Sequence, residues 1–315
     1  MKNPHLQVSF SAIKRMPTIT SIAVDAPIGL RKMWAKNKSM IVCISGAFRI
    51  STNSTFHDNK WSFYQIGFIP FKARDHKPLD NYYQLWNDRL AINRVFLVEE
   101  SIFDKQQAIR ATVSELQYTP PKISKDSELS LTYTLAWVKL IASKIAKDFV
   151  YKNTLILMTS FDNCEMLYNE LISKDNLKKK NYNILYSTAD KSMRFLQEEY
   201  KKSARSGIPT ILIGNISFFT GIDLPNELLN TLIIGKLPFE PNEFLKKKII
   251  NHSAFSSVIN NRNKAIVTFR QGLGRGIRNK HDRVFIAICD PRLYDKKNKN
   301  FLYFLQEMSV SHRGR

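Results

Sequence analysis

The chain has 315 residues, 43% of them hydrophobic, which is enough to bury one large core, with or without appendages. Lys plus Arg number 48 against 27 Asp plus Glu, a formal charge of +21, so an anionic polymer is the expected partner and nucleic acid the first candidate. Lysine enrichment through base composition alone is the competing explanation. Cys43, Cys164 and Cys289 stand apart, two of them in apolar runs, which excludes a disulfide framework. No apolar run reaches the ~18 residues of a membrane span and no signal-like segment opens the chain, so a cytoplasmic protein is expected.

In chain order, residues 1–33 are weakly periodic and predict no particular element. Met40 to Ser45 (MIVCIS) predicts a short buried strand ended by Gly46. Residues 51–90 are polar and aromatic, as connecting structure would be; Arg94 to Glu99 predicts another strand, and the paired prolines at 120 and 121 a loop. Leu135, Val138, Ile141, Ile145 and Phe149 recur at helical spacing and predict one amphipathic helix over 129–150. An α/β alternation follows. Thr154 to Thr159 is an apolar strand, Asp162-x-x-Glu165 a capping box for a helix to Ile172, and Asn183 to Ser187 a second strand. Ser192 to Ala204 is a surface helix. Pro209 to Gly214, Thr231 to Gly235 and Arg283 to Cys289 complete five strands of an expected parallel sheet, with ligands at its carboxyl ends. The lysine runs at 178–180, 246–248 and 296–299 read as solvated faces, and the six histidines show no metal-ligand spacing.

One stretch carries the strongest chemistry. In Lys264 to Arg278 (KAIVTFRQGLGRGIR), Gln271, Arg275 and Arg278 share a helical face opposite Ile266, Phe269, Leu273 and Ile277. Gly272, Gly274 and Gly276 make such a helix costly, at about 1 kcal/mol each relative to Ala, unless something must approach closely. Two guanidiniums one turn apart suit a polyphosphate.

The string Q-G-L-G-R-G-I-R resembles motif VI of superfamily 2 helicases in their DinG and XPD branch. The resemblance implies that Arg275 and Arg278 are catalytic fingers on phosphoryl transfer, with Gln271 at the nucleotide. About fifty residues earlier, Ser217 to Pro225 (SFFTGIDLP) resembles motif V, with Thr220 where the branch has Glu; Gly221 and Asp223 are the implied nucleotide contacts. LILMTSF resembles motif IV, and Lys236-Leu-Pro-Phe239 and Asp290-Pro-Arg292 resemble strings that follow motifs V and VI. Ser160, Phe161, Ser217 and Lys236 are the implied nucleic-acid contacts. Ser45-Gly46-Ala47-Phe48 resembles motif III without its usual hydroxyl.

No G-x-x-x-x-G-K-[ST] string and no D-E-A-H string occurs. The resemblance, over residues 35–310, therefore implies the C-terminal half of a helicase. Its fold would be a RecA-like parallel sheet flanked by helices in the P-loop NTPase-type manner. Residues 1–50 would be a remnant of the first RecA-like domain and 51–315 the second. ATP and Mg2+ would be held mainly by a Walker-bearing first domain or split partner chain, and the isolated chain would not hydrolyse ATP. Single-stranded DNA, or RNA, is the implied substrate. The four-cysteine iron–sulfur cluster of many such helicases cannot be supplied by three cysteines, and the cluster-free DinG-like proteins of type IV CRISPR systems are a narrower resemblance. A catalytically dead nucleic-acid-binding module is the alternative, and an unrelated α/β enzyme for a phosphorylated small ligand the third reading.

Overall fold

The computed structural model describes residues 6–13, 16–23, 108–112, 127–224, 228–240, 257–276 and 282–302. The expected strands at 40–45 and 94–99, the connecting stretch at 51–90, the loop at 120–121, the domain boundary at 50 and the lysine run at 246–248 lie outside them. The chain divides into two compact units, Met1–Glu99 with Glu240–Lys264, and Glu100–Phe239 with Ala265–Arg315.

In the first unit, β1 (Leu6–Ile13) and β2 (Met16–Ala23) pair antiparallel from Leu6 opposite Ala23 to Ile13 opposite Met16. The sequence reading predicted no element here. Leu6, Val8, Phe10 and Ala12 do alternate with Gln7, Ser9 and Ser11, the period-2 pattern of a half-buried strand, within a stretch too polar to stand out by composition.

The second unit is built on a six-stranded sheet. Its strands are β3 (Ala108–Thr112), β4 (Thr154–Leu157), β5 (Asn183–Tyr186), β6 (Thr210–Gly214), β7 (Thr231–Ile234) and β8 (Val284–Ile288). They lie in the order β3-β8-β7-β4-β6-β5, and every pairing is parallel. The five expected strands are all present. β3 was not foreseen, because a five-residue segment with Arg110 at its centre lacks the apolar run that marked the others.

Both faces of the sheet are buried, which is why its central strands read as unbroken apolar runs. Leu155, Leu157, Leu232, Ile234, Ile286 and Ile288 face a core with Tyr200, Phe218, Phe219 and Phe269. The alternate residues Ile156, Ile211, Ile213, Ile233 and Ala287 pack on the other side against Trp137, Val138, Ile141, Cys164 and Leu167. Burial pushes the Cys164 thiol up to about 12 and raises that of Cys289, so both are inert core groups.

The helices are α1 (Ser127–Lys144), α2 (Phe161–Ile172), α3 (Asp175–Lys179), α4 (Met193–Arg205), the single turn α5 (Phe218–Gly221) and α6 (Ser257–Leu273). The single helix expected over 129–150 is instead α1 followed by a π-turn at Ile145–Phe149, closed by the Val150 N–H donating to the Ile145 carbonyl at 3.0 Å. The wider turn keeps both Ile145 and Phe149 buried, whereas Leu135, expected on the core face, is exposed and Trp137 takes its place. Among the described residues no helix is long and apolar enough to cross a membrane, and no cluster of His, Cys, Asp and Glu could hold a metal ion.

Candidate functional site

Parallel pairing sets the carboxyl ends of β8, β7, β4 and β6 side by side, and most of the singled-out residues follow directly from those ends. After β4, Ser160 takes extended backbone and its hydroxyl accepts from the Asn163 N–H at 3.2 Å and from Asn163 Nδ2 at 2.7 Å. Ser160, not Asp162, is thus the cap of α2, since the chain turns helical at Phe161, one residue before the expected box begins. The Phe161 side chain is left 42% exposed beside it.

After β7, the Lys236 ammonium donates to Asn163 Oδ1 at 3.3 Å and lies 5.7 Å from the Trp137 ring centroid. Burial is the main reason its pKa falls from 10.5 to about 8; Arg292 pushes the same way and Asp290 opposes. After β8, the buried Asp290 carboxylate receives the Leu237 N–H at 2.8 Å and the Arg292 N–H at 3.0 Å. It also receives Arg292 Nε at 3.0 Å and Nη2 at 2.5 Å, so one buried acid ties the residue after Lys236 to the end of β8.

After β6, Asn215 Oδ1 accepts the Ser217 N–H at 3.1 Å and starts the single turn α5, with Ser217 exposed and Phe218 and Phe219 buried. Beyond it, Asp223 is exposed while its backbone is gripped from α4: Gln197 Nε2 donates to the Asp223 carbonyl at 2.6 Å, and the Asp223 N–H donates to Gln197 Oε1 at 3.4 Å. A Cβ on Gly221 would meet the flexible tip of the Met193 side chain of α4.

Arg275 joins this edge from a distant part of the chain. Its Nε donates to the Phe219 carbonyl at 3.2 Å, Nη1 to Ile222 at 2.8 Å and Nη2 to Thr220 at 3.0 Å, across more than fifty residues of sequence. The expected helical face of Gln271, Arg275 and Arg278 is not what brings it there. α6 stops at Leu273, and Gly274 to Gly276 form turns in which the Arg275 N–H donates to the Gly272 carbonyl at 3.0 Å. Arg275 therefore leaves the helix axis, and Gln271 stays half-buried on the last turn of α6; Arg278 lies outside the described residues. At Gly272 the close approach that the sequence led one to expect is made by side chains of the core: its Cβ position is 2.5 Å from the Phe219 ring and 3.3 Å from a Leu157 methyl. Sequence reading missed Asn163, Trp137 and Gln197; of these only Asn163, three residues after the serine that caps α2, carried a readable capping signal.

With this geometry in hand, the chain can be set beside known proteins. The family model described as "Helicase C-terminal domain" matches residues 144–308, just over half of the chain. The chain is 27% identical over 246 residues to the 3'-5' exonuclease DinG of Staphylococcus aureus strain MRSA252, an alignment covering 76% of this chain and 25% of that protein. It is 32% identical over 154 residues to the protein of the same name from Staphylococcus haemolyticus, covering 47% of this chain and 16% of that one. The chain thus spans about a quarter of the length of the S. aureus relative. A solved structure named "XPD_Helicase" shares the fold, with a TM-score of 0.54 at 16% identity over 91% of this chain and 45% of that one. The parallel sheet, the two motif segments clasped at its carboxyl edge and the family match agree, and the chain belongs to the helicase C-terminal domain family, as a C-terminal half of the DinG and XPD type.

Proposed function

We propose that this chain is the C-terminal motor half of an ATP-dependent, DinG-like DNA helicase. The observation that carries the proposal is the Arg275 clasp, which joins the 217–225 and 264–278 segments at the carboxyl ends of the strands. Helicase resemblance expects those two segments to face the nucleotide. A guanidinium that spends three donors on carbonyls is a positioning group, so Arg275 holds the edge in shape. Arg278 then becomes the finger.

Bound ATP with Mg2+ supplies the phosphoryl group whose hydrolysis powers translocation, and the proposed holders from this chain are Asp223, Gln271 and Arg278. The fit is partial, as a half-site should be: the Asp223 backbone is fixed on both sides by Gln197 while the residue stays exposed, and the exposed Gly221 has the Met193 side chain beside it. Ser160, Phe161, Ser217 and Lys236 line the same edge and are the proposed nucleic-acid contacts. A Walker-bearing first RecA-like domain, in the same protein or a partner, would hold most of the nucleotide. The narrower likeness to type IV CRISPR DinG-like proteins rests on the lack of four cluster cysteines and not on the motif strings.

A second reading, a dead nucleic-acid-binding module, is compatible with the same clasp, since a purely structural Arg275 needs no ATP. ATP turnover separates the two. The chain alone should turn over below ~0.1 per second, under the usual enzyme range. Mixed with the Walker-bearing half of a DinG-like helicase and single-stranded DNA, it should raise turnover well above that of the added half alone. Equal rates with and without this chain favour the binding module.

A further inference from the structure

The opposite end of the strand order offers a second surface. Among the described strands β5 is the free edge beside β6, and Ile184 and Tyr186 within it and Tyr182 just before it pack against the same core cluster. Between β5 and the helices α2 and α3 runs a groove of about 430 Å³, with Tyr168, Tyr182, Lys178, Asn181 and Asn183 in its wall and no carboxylate. The Tyr168 and Tyr186 rings stack with centroids 4.2 Å apart, and Lys191 Nζ lies 5.7 Å from the Tyr186 centroid. The Lys152 backbone bonds the Tyr182 phenol, and Lys152 Nζ lies 5.5 Å from the ring of Tyr151, which is 60% exposed. Lys178 lines the groove, and Lys179 and Lys180, which follow it in the chain, are likewise exposed.

A solvated lysine face, the plain reading of this run, needs no half-exposed aromatic rings among its charges. Interleaved lysines and tyrosines match a polymer that offers a flat ring and a phosphate at each repeat. An acidic peptide has charge without the ring, and a duplex hides its base faces. We propose that this groove binds single-stranded nucleic acid at a site separate from the carboxyl edge, with bases on the tyrosine rings and phosphates on Lys178, Lys179 and Lys180. The separation follows from position: the groove is walled by Tyr182, Asn183 and Ile184 along β5, the edge strand of the order, whereas the candidate motor site follows the carboxyl ends of β8, β7, β4 and β6. The proposal rests on the reading of the chain as a nucleic-acid motor half but uses none of the same residues.

The test is fluorescence anisotropy of the full chain with a labelled oligo-dT of about 20 nucleotides, long enough to span a typical stacking platform, across a range of salt. The triple variant Lys178→Glu, Lys179→Glu, Lys180→Glu is compared with Lys296→Glu, Lys297→Glu, Lys299→Glu, which makes the same charge change at three exposed lysines elsewhere. The groove variant should raise Kd at least ~10-fold more than the control and lower the log–log salt slope by about two units, as three lost single-strand phosphate contacts require. Tyr151→Ala, at an exposed ring, should raise Kd about 5-fold with the slope unchanged. Equal losses in the groove variant and its control, or no effect of Tyr151→Ala, overturn the proposal. Phe161→Ala keeps the two sites distinguishable. If it weakens binding while the groove variant matches its control, the carboxyl-edge reading stands and the groove falls; the opposite pattern supports the groove against the edge.

Discussion

At the scale of single residues, Arg275 shows how a motif can be legible while its job is not. Its position in G-L-G-R-G marked it as important, but the choice between a phosphate and three backbone carbonyls depends on where α6 ends, and the three nearby glycines do not state that. Arg275→Ala should destabilise the second unit by about 2–3 kcal/mol, the range for a few charge-assisted bonds on a part-exposed side chain. Urea unfolding measures it, and a loss under ~0.5 kcal/mol would mean the clasp is idle. Lys236 makes a prediction about pH. Its folded pKa, about 8, lies below its ordinary 10.5, so the penalty for burying the charge is fully present below pH 8 and is relieved as pH rises toward 10.5. Stability should therefore gain more between pH 8 and 10 in the native chain than in Lys236→Met, as read from paired urea curves. Equal pH profiles would show that burial does not hold this amine down. The motif-like K-L-P-F placed Lys236 in view, but its Trp137 and Asn163 partners come from α1 and α2 and could not be read from spacing.

At the scale of elements, the sequence served best where burial is symmetrical. β4, β6 and β7 are apolar on both faces, so their runs were unbroken; β3 and the hairpin of β1 and β2 carry polar residues and passed unnoticed. The starts of α2 and α4 were placed to within two residues, Ser192 capping α4 where the helix was expected and Ser160 rather than Asp162 capping α2, whereas α6 begins at Ser257, well before the expected Lys264. The end of α6 was misplaced because helical spacing continues past Leu273, whereas Gly274 to Gly276 form turns. Gly272 tests this packing. Alanine there gains about 1 kcal/mol of helix propensity, but its methyl collides with the Phe219 ring and Leu157, and overpacking in a core costs about 1–3 kcal/mol. Gly272→Ala should lower the melting temperature, and Phe219→Leu should restore part of the loss by opening space. A raised melting temperature for Gly272→Ala alone would show that α6 can shift away from α5 without cost.

For the whole molecule, charge and fold class were open to inspection from the start: +21 pointed to a polyanion and the α/β alternation to a parallel sheet with its ligands at one end. What composition could not supply was the pairing of distant segments, because a contact between 219–222 and 275 is a property of topology. The central claim is that this topology presents an ATP-facing edge to a second motor domain. It is tested most directly by DNA-stimulated ATP turnover of the chain reconstituted with a Walker-bearing half, comparing the native sequence with Arg278→Lys. Since Lys cannot reproduce a finger's bidentate fork, the variant should lose ~10³-fold or more in turnover while its single-stranded DNA affinity stays within about twofold. Normal turnover with Arg278→Lys, or a loss that follows weakened DNA binding, would contradict the account and place that arginine on the nucleic-acid track.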